Sequence, residues 1–346
     1  MFRRFCCAFV VASFFAPLAG PVALRAEDEV AKPADRYAVP EGDVPAILEF
    51  LKGIESYRPT SADEILAYRQ NARKALQTAA DRILKLEKDK SSDAYRKANA
   101  ILLQLRLSDV QRGTPESQRR FYENVLAHLK SAKKPSQQDL ALAFTFGQMI
   151  EQAGNIELAK EAFREFGKIF SASEDEALVG YAEKMTGTAR RLDLPGNEMK
   201  IEGTTADGET FDWKSYRGKV VLVDYWATWC GPCIQELPNV KENYEKYHDK
   251  GFEVVGISLD SDPARLQRFL TEREIPWVSL FEEGAGWNHP MATYYGVMGI
   301  PATILVDRDG KVISMEARGG ELGRQLAALL GPAEKEPAEK DDEADE

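Results

Sequence analysis

Val220-Val221-Leu222-Val223-Asp224-Tyr225-Trp226-Ala227-Thr228-Trp229-Cys230-Gly231-Pro232-Cys233 decides the reading of this 346-residue chain. Val220–Ala227 is an apolar run broken only by Asp224, the composition of a central strand covered on both faces. Beyond it, Pro232 sits where a helix can begin without losing a hydrogen bond, because the first-turn N–H groups have no partner in any case. A helix is predicted over Pro232–Lys250, with Leu237, Val240, Tyr244 and Tyr247 on one side. Cys230 thus falls at a helix N-terminus. The positive end of the helix dipole and the free N–H groups there stabilise a thiolate and lower its pKa. The thiolate is the nucleophile of disulfide exchange. Cys233, one turn into the helix, can reach back to resolve a mixed disulfide and is expected to be the more covered of the two.

Working outward, Phe252–Leu259 reads as a second strand, and Ser261-Asp262-Pro263 opens a helix over Ala264–Glu274. Thr303–Val306 and Val312–Ala317 read as strands joined by the Asp307-Arg308-Asp309-Gly310 turn, and Leu322–Leu330 as a last helix. This order of strands and helices is that of an α/β sandwich. The aromatic residues of Trp277–Tyr295 fit a substrate face or core packing equally well.

The Trp-Cys-Gly-Pro-Cys stretch resembles the thioredoxin active site, down to the Gly-Pro pair between the cysteines. Asp224 lies six residues before Cys230, where thioredoxins carry a buried acid, and Gly299-Ile300-Pro301-Ala302-Thr303 looks like the cis-proline loop that faces the cysteines. Gly218-Lys219-Val220, Ala227-Thr228 and Glu236-Leu237-Pro238 point to the extracytoplasmic TlpA/ResA-like subgroup. The resemblance covers Leu194 to about Gly331 and implies a thioredoxin-fold thiol-disulfide oxidoreductase with no cofactor beyond the Cys230–Cys233 pair. It implies that Asp224, costly in an apolar strand unless it serves a purpose, takes a proton from Cys233 as that thiol attacks. The competing role is structural hydrogen bonding. In the ResA-like subgroup a glutamate at the place of Glu236 tunes the cysteines; the competing reading is a solvated helix residue. Thioredoxins often carry a lysine beside the buried acid, and Gly256 stands at that place here. Ile300, before a cis Pro301, would offer its backbone to a substrate strand. Trp229 would pack beside the cysteines and exclude water, whereas Trp226 reads as core.

The chain has four cysteines, too few for a disulfide scaffold. Cys6 and Cys7 lie in the segment 1–26, where Arg3 and Arg4 precede the uncharged run Phe5–Ala16 and a Leu24-Arg25-Ala26 exit. This is the layout of a secretory signal peptide; an uncleaved membrane anchor is the competing reading. Either places the remainder in the periplasm or outside the cell. Cys230 and Cys233 alone remain after cleavage. A purely structural bridge across so short a loop constrains the unfolded chain little. Zinc needs about four ligands, and two cysteines with the scattered His128, His248 and His289 supply no ligand spacing. A peroxiredoxin would need threonine at position 227, where alanine stands.

Residues 27–45, with Pro33, Pro40 and Pro45, read as a linker. Residues 46–191 read as six or seven helices without a strand, broken at Pro59-Thr60-Ser61, Gly113-Thr114-Pro115, Pro135-Ser136 and Gly154-Asn155. Ser61 with Glu64 forms a capping box. Phe146-Gly147, Ile150, Ala159, Phe163 and Phe166 follow the spacing of one tetratricopeptide unit, but stacking needs about three, and an irregular bundle is the competing reading. The expected organisation is therefore a helical domain, a thioredoxin-like domain over 195–331, and a disordered tail over 332–346 with eight acids and two bases.

Asp and Glu total 56 against 45 Lys and Arg, a net charge of −11, which argues against nucleic acid as a partner. The expected partners are exported disulfide-bearing proteins and an upstream electron donor, with membrane contact only through an uncleaved anchor. Gly231-Pro232 carries no histidine to stabilise a reduced thiolate unusually well. The expected potential is nearer the about −270 mV of thioredoxin than the about −120 mV of a strong periplasmic oxidant. This favours a reductase over the alternative, a helical adaptor that captures a partner and carries an isomerase, oxidase or regulatory redox domain.

Overall fold

Asp43 begins the first helix. Its side chain accepts the Ala46 N–H at 3.2 Å, and Pro45 occupies the first turn. The helix α1 (Val44–Ser56) therefore starts inside the stretch expected to be linker, because a proline without an N–H is as suited to a first helical turn as to a loop. Residues 35–332 of the chain are described by a computed structural model. The expected signal segment 1–26, residues 27–34 of the expected linker and the acidic tail beyond Pro332 lie outside the described residues.

Six further helices follow: α2 (Ala62–Leu86), α3 (Asp93–Val110), α4 (Pro115–Lys130), α5 (Gln137–Gln152), α6 (Ile156–Ser171) and α7 (Glu176–Leu192). The expected capping box is formed, Ser61 Oγ accepting the Glu64 N–H while Glu64 accepts the Ser61 N–H, both at 3.2 Å. Two breaks occur without glycine or proline. Residues 87–92 end at Ser92, which caps α3, and residues 172–175 end at Asp175, which caps α7. Both rest on a side-chain oxygen satisfying a helix's orphan N–H groups. The helices enclose two apolar cores. One is built on Ile47, Leu51, Ala79, Ile83 and Ala98, the other on Tyr122, Phe146, Phe163, Phe166, Phe170 and Met185. The hairpin of α5 and α6 turns at Gly154-Asn155 as expected, and Gly147 lies under the Phe163 ring, where a Cβ would collide.

The second half is a five-stranded mixed sheet in the order β3-β2-β1-β4-β5: β1 (Val220–Trp226), β2 (Phe252–Ser258), β3 (Val278–Leu280), β4 (Ala302–Val306) and β5 (Val312–Ser314). β1 runs parallel to β2 and antiparallel to β4. The central strand is covered along its length apart from partial exposure at Asp224. The connecting helices are α8 (Gly231–Tyr247), α9 (Pro263–Glu272), α10 (Pro290–Tyr294) and α11 (Gly320–Leu330). β3 and α10 have no counterpart in the sequence reading, being too short to show a period. β5 stops before the expected Ala317.

The two halves are in direct contact. α7 lies against α10 so closely that a Cβ on Gly187 would strike the Thr293 and Tyr294 carbonyls, and one on Gly296 would strike the Lys184 carbonyl and the Thr188 N–H. Gly296 also has φ +59°, a conformation that favours glycine. Thr188 Oγ1 donates to the Gly296 carbonyl at 3.3 Å, and Arg190 donates to the Tyr294 carbonyl and lies 3.8 Å from the centre of its ring.

Candidate active site

The end of β1 hands the chain to α8 through Ala227-Thr228-Trp229, and Cys230 is the N-cap of α8. Its sulfur accepts the Cys233 N–H at 3.2 Å, so a helix N-terminal donor points at the atom that would carry thiolate charge. The cysteines are joined in a disulfide. Cys233 was expected to be the more covered, but the two are alike at 5% and 6% exposure. Both pack into the apolar cluster that contains Trp226 and Ala227, so a cap position does not here mean an open one.

A residue that the sequence reading did not single out holds this turn. Asp260, buried just past β2, accepts the Thr228 N–H at 2.9 Å, the Thr228 hydroxyl at 2.6 Å and the Ser258 hydroxyl at 2.9 Å. The link joins residues from two neighbouring strand ends. In sequence, Asp260 is one of several polar residues in a loop, and nothing local marks it.

Asp224 lies in mid-sheet, paired in register with Gly256 on β2 and Thr303 on β4. The residue keeps some exposure through its other atoms, but Oδ1 is sealed and has no hydrogen-bond partner in the structure. Burial pushes its carboxyl up to about 7, the Glu236 charge adds to the rise, and Arg318 opposes it. Thus the cation acting on Asp224 comes from the segment before α11. At Gly256 even a Cβ would crowd Trp226 Nε1 and Ser279 Oγ, at 2.8 and 2.9 Å.

Glu236 is half-buried and hydrogen-bonded. Its Oε1 accepts the Gly319 N–H at 2.6 Å and an Asn239 amide hydrogen at 2.7 Å, tying α8 to the start of α11. Ile300-Pro301 is cis, and Ile300 packs against the apolar cluster that holds the cysteines. Arg318 donates to the Pro301 carbonyl at 3.4 Å. Trp226 is core, as expected. Trp229 is itself 45% exposed, and its ring lies 5.9 Å from that of Trp287. The aromatic residues of Trp277–Tyr295 divide. Trp277 packs on Tyr244, and Tyr295 is buried with its hydroxyl bound to both backbone groups of Lys200; Trp287 and Tyr294 face outward. His289 is buried, its Nδ1 accepts the Met291 N–H at 3.2 Å, and burial pulls its pKa down to about 4. His128 is sealed in the helical half, between Asn99 and Asp139.

A sheet with two antiparallel and two parallel pairings, a disulfide at the start of the helix after its central strand, a carboxyl on that strand and a cis-proline loop define a thioredoxin-fold redox protein. A redoxin family model matches residues 193–326. The chain is 32% identical over 127 residues to the thiol-disulfide oxidoreductase ResA of Bacillus thuringiensis subsp. konkukian, covering 37% of this chain and 70% of that protein. It is 32% identical over 124 residues to the thiol:disulfide interchange protein HelX of Rhodobacter capsulatus, covering 35% and 66%. The thioredoxin domain of a thiol-disulfide oxidoreductase from Bacteroides vulgatus aligns with 28% identity and a TM-score of 0.37, over 39% of this chain and 97% of that one. The chain belongs to the TlpA/ResA-like thioredoxin family and is a thiol-disulfide oxidoreductase. The redoxin match leaves the seven helices outside it.

Proposed function

We propose that the chain is an exported reductase of disulfides in extracytoplasmic proteins, working through Cys230 and Cys233. The observation that carries this reading is the Cys233 N–H directed at Cys230 Sγ at the start of α8, which favours thiolate at Cys230 and makes it the attacking sulfur. In the reduced enzyme the Cys230 thiolate attacks one sulfur of a substrate disulfide. A Cys230–substrate bond forms, the substrate S–S bond breaks, and the first substrate thiolate leaves and is protonated by solvent. Asp224 then takes the Cys233 proton, and the Cys233 thiolate attacks Cys230 Sγ. The second substrate thiolate leaves, and the enzyme is left in the disulfide form. Two electrons have passed to the substrate. A dithiol donor of lower potential must return them, and the disulfide itself is the only redox group required. A carboxyl with pKa about 7 suits this exchange near neutral pH. Glu236 is assigned a positioning role, raising Asp224 and fixing α8 on α11. Trp229, Ile300 and Pro301 form the face against which a substrate strand lies.

The reductase direction is supported by Gly231-Pro232, which adds no charge between the cysteines. Export is supported by the layout of residues 1–26, and among the described residues no helix is long and apolar enough to cross a membrane. Cys233→Ser tests the order of attack. It should accumulate mixed disulfides through Cys230, identifiable by mass spectrometry, whereas Cys230→Ser should accumulate none. Trapping through Cys233 instead would reverse the assignment. A measured potential near about −120 mV would replace the reductase by an oxidase.

A further inference from the structure

Between α7 and the segment that leads into α10 lies a groove of about 640 Å³, walled on one side by Glu183, Lys184 and Arg190 and on the other by Asn288, Thr293 and Tyr294. Neither half of the molecule forms it alone. Its position is fixed by the close approach at Gly187 and Gly296. On the thioredoxin side it continues through Asn288 to Trp287, whose ring lies against Trp229, the neighbour of Cys230. Trp229, Trp287 and Tyr294 are each more than a third exposed. Trp229 and Trp287 thus form an outward-facing aromatic pair that adjoins, along the chain, Cys230 on one side and Asn288 of the groove on the other.

The groove's charges are unusual for an acidic chain. Lys184 is half-buried, and among the described residues no carboxylate lies within 4.0 Å of it or of Arg190. Arg190 is committed to the Tyr294 carbonyl and ring, and Lys184 has only the Tyr181 ring, at 5.8 Å. The one acid of the lining, Glu183, is exposed on the rim. A partly desolvated cation without a counter-charge is costly and attracts an anion. Burial accordingly pulls the Lys184 ammonium below its usual range.

We propose that this groove is a second substrate subsite: it receives an acidic side chain of the extended segment whose cysteine has docked at Cys230, so that the helical domain selects disulfide-bearing proteins with a carboxylate flanking the reactive cysteine. The proposal rests on the oxidoreductase reading above and adds the substrate class. Trp229 and Trp287 hold the segment between its two anchors, and Lys184 pairs with its carboxylate. Charge matching of this kind gives selectivity and faster encounter.

The test uses the full chain, pre-reduced, and follows its oxidation in single turnover by tryptophan fluorescence. The substrates are disulfide-linked peptides carrying one glutamate at successive positions on either side of the cysteine, each with a glutamine counterpart. At the matching spacing the glutamate peptide should react about tenfold faster than its glutamine twin, as for a charge-assisted contact, and the ratio should fall with added salt. Lys184→Met should bring that ratio to about one, and Lys184→Glu should invert the preference towards a lysine peptide. Because each ratio is taken within one variant, a general loss of folding or reactivity does not mimic the result. A ratio of one at every position in the wild-type chain, or a glutamate preference that survives in Lys184→Met, would overturn the subsite while leaving the oxidoreductase reading intact. Failure of the reduced wild-type chain to reduce even cystamine would overturn both.

Discussion

The role proposed for Asp224 ties stability and catalysis to the same titration. An unfolded aspartate ionises near pH 4, and in the folded chain burial and the Glu236 charge raise this carboxyl to about 7. The ionised form is the one that folding disfavours. The penalty is therefore absent below about pH 4, grows as pH rises through the window between the two values, and is complete above about pH 7. Asp224→Asn should raise stability by up to about 4 kcal/mol at pH 8 and change it little at pH 4, which paired denaturant titrations at the two pH values measure. On the proposed mechanism the same variant lacks the base that takes the Cys233 proton. Resolution of the mixed disulfide by Cys233 should slow about a hundredfold, and the inflection near pH 7 in that step should disappear in stopped-flow traces. A variant that loses stability at pH 8 would return Asp224 to a structural role. The position of this acid and of both cysteines was legible because a run of apolar residues interrupted by one charge, then Trp-Cys-Gly-Pro-Cys, is local in sequence. Arg318 and Asp260 were not legible. Each acts on the site through a contact between segments that only the folded sheet brings together.

At the scale of elements, α10 shows why short pieces escape a reading based on periodicity. Its five residues complete barely one turn, and its cap is a histidine, outside the Ser, Thr, Asp and Asn that usually announce a helix. The breaks before α3 and α7 escaped for the converse reason: their caps were ordinary Ser92 and Asp175, without the glycine or proline that marked the other breaks. The histidine cap has a consequence. His289 is buried and neutral, with its pKa pulled down to about 4 by burial. Its unfolded counterpart binds a proton near pH 6.5, so the stabilisation is complete above that value and is lost as pH falls towards 4. His289→Asn keeps a side-chain acceptor for the Met291 N–H and removes the titration. The wild-type chain should lose up to about 3 kcal/mol more than this variant between pH 7 and pH 4, read from thermal unfolding of each across that range. Equal losses would assign the acid sensitivity to other groups.

At the scale of the whole molecule, α7 ends at Leu192, beside the Leu194-Pro195-Gly196 stretch where the sequence pattern changes, but the docking of α7 on α10 carried no signal in the sequence. Pro195-Gly196 is itself held against β5, the Gly196 N–H donating to the Val312 carbonyl at 2.8 Å. The chain thus turns back at once and lays α7 on α10. What permits this is the absence of two side chains, at Gly187 and Gly296, far apart in sequence and carrying no local signal. Residue 187 has ordinary helical backbone, so alanine there is tolerated by α7 itself and even favoured by helix propensity. Its Cβ nevertheless meets backbone oxygens of the other half, which cannot swing aside as a side chain could. Gly187→Ala should therefore weaken the docking while leaving both cores filled. The expected outcome is a calorimetric trace in which one cooperative transition separates into two, with a loss of about 1–3 kcal/mol assigned to overpacking at the contact. Gly180→Ala, on the same helix with open space around its Cβ, should be neutral or slightly stabilising. If Gly187→Ala behaves like Gly180→Ala, the two halves are not held by this contact. If they separate as expected, the helices are part of the folded redox unit, and removing residues 1–191 exposes the α10 face that α7 covers.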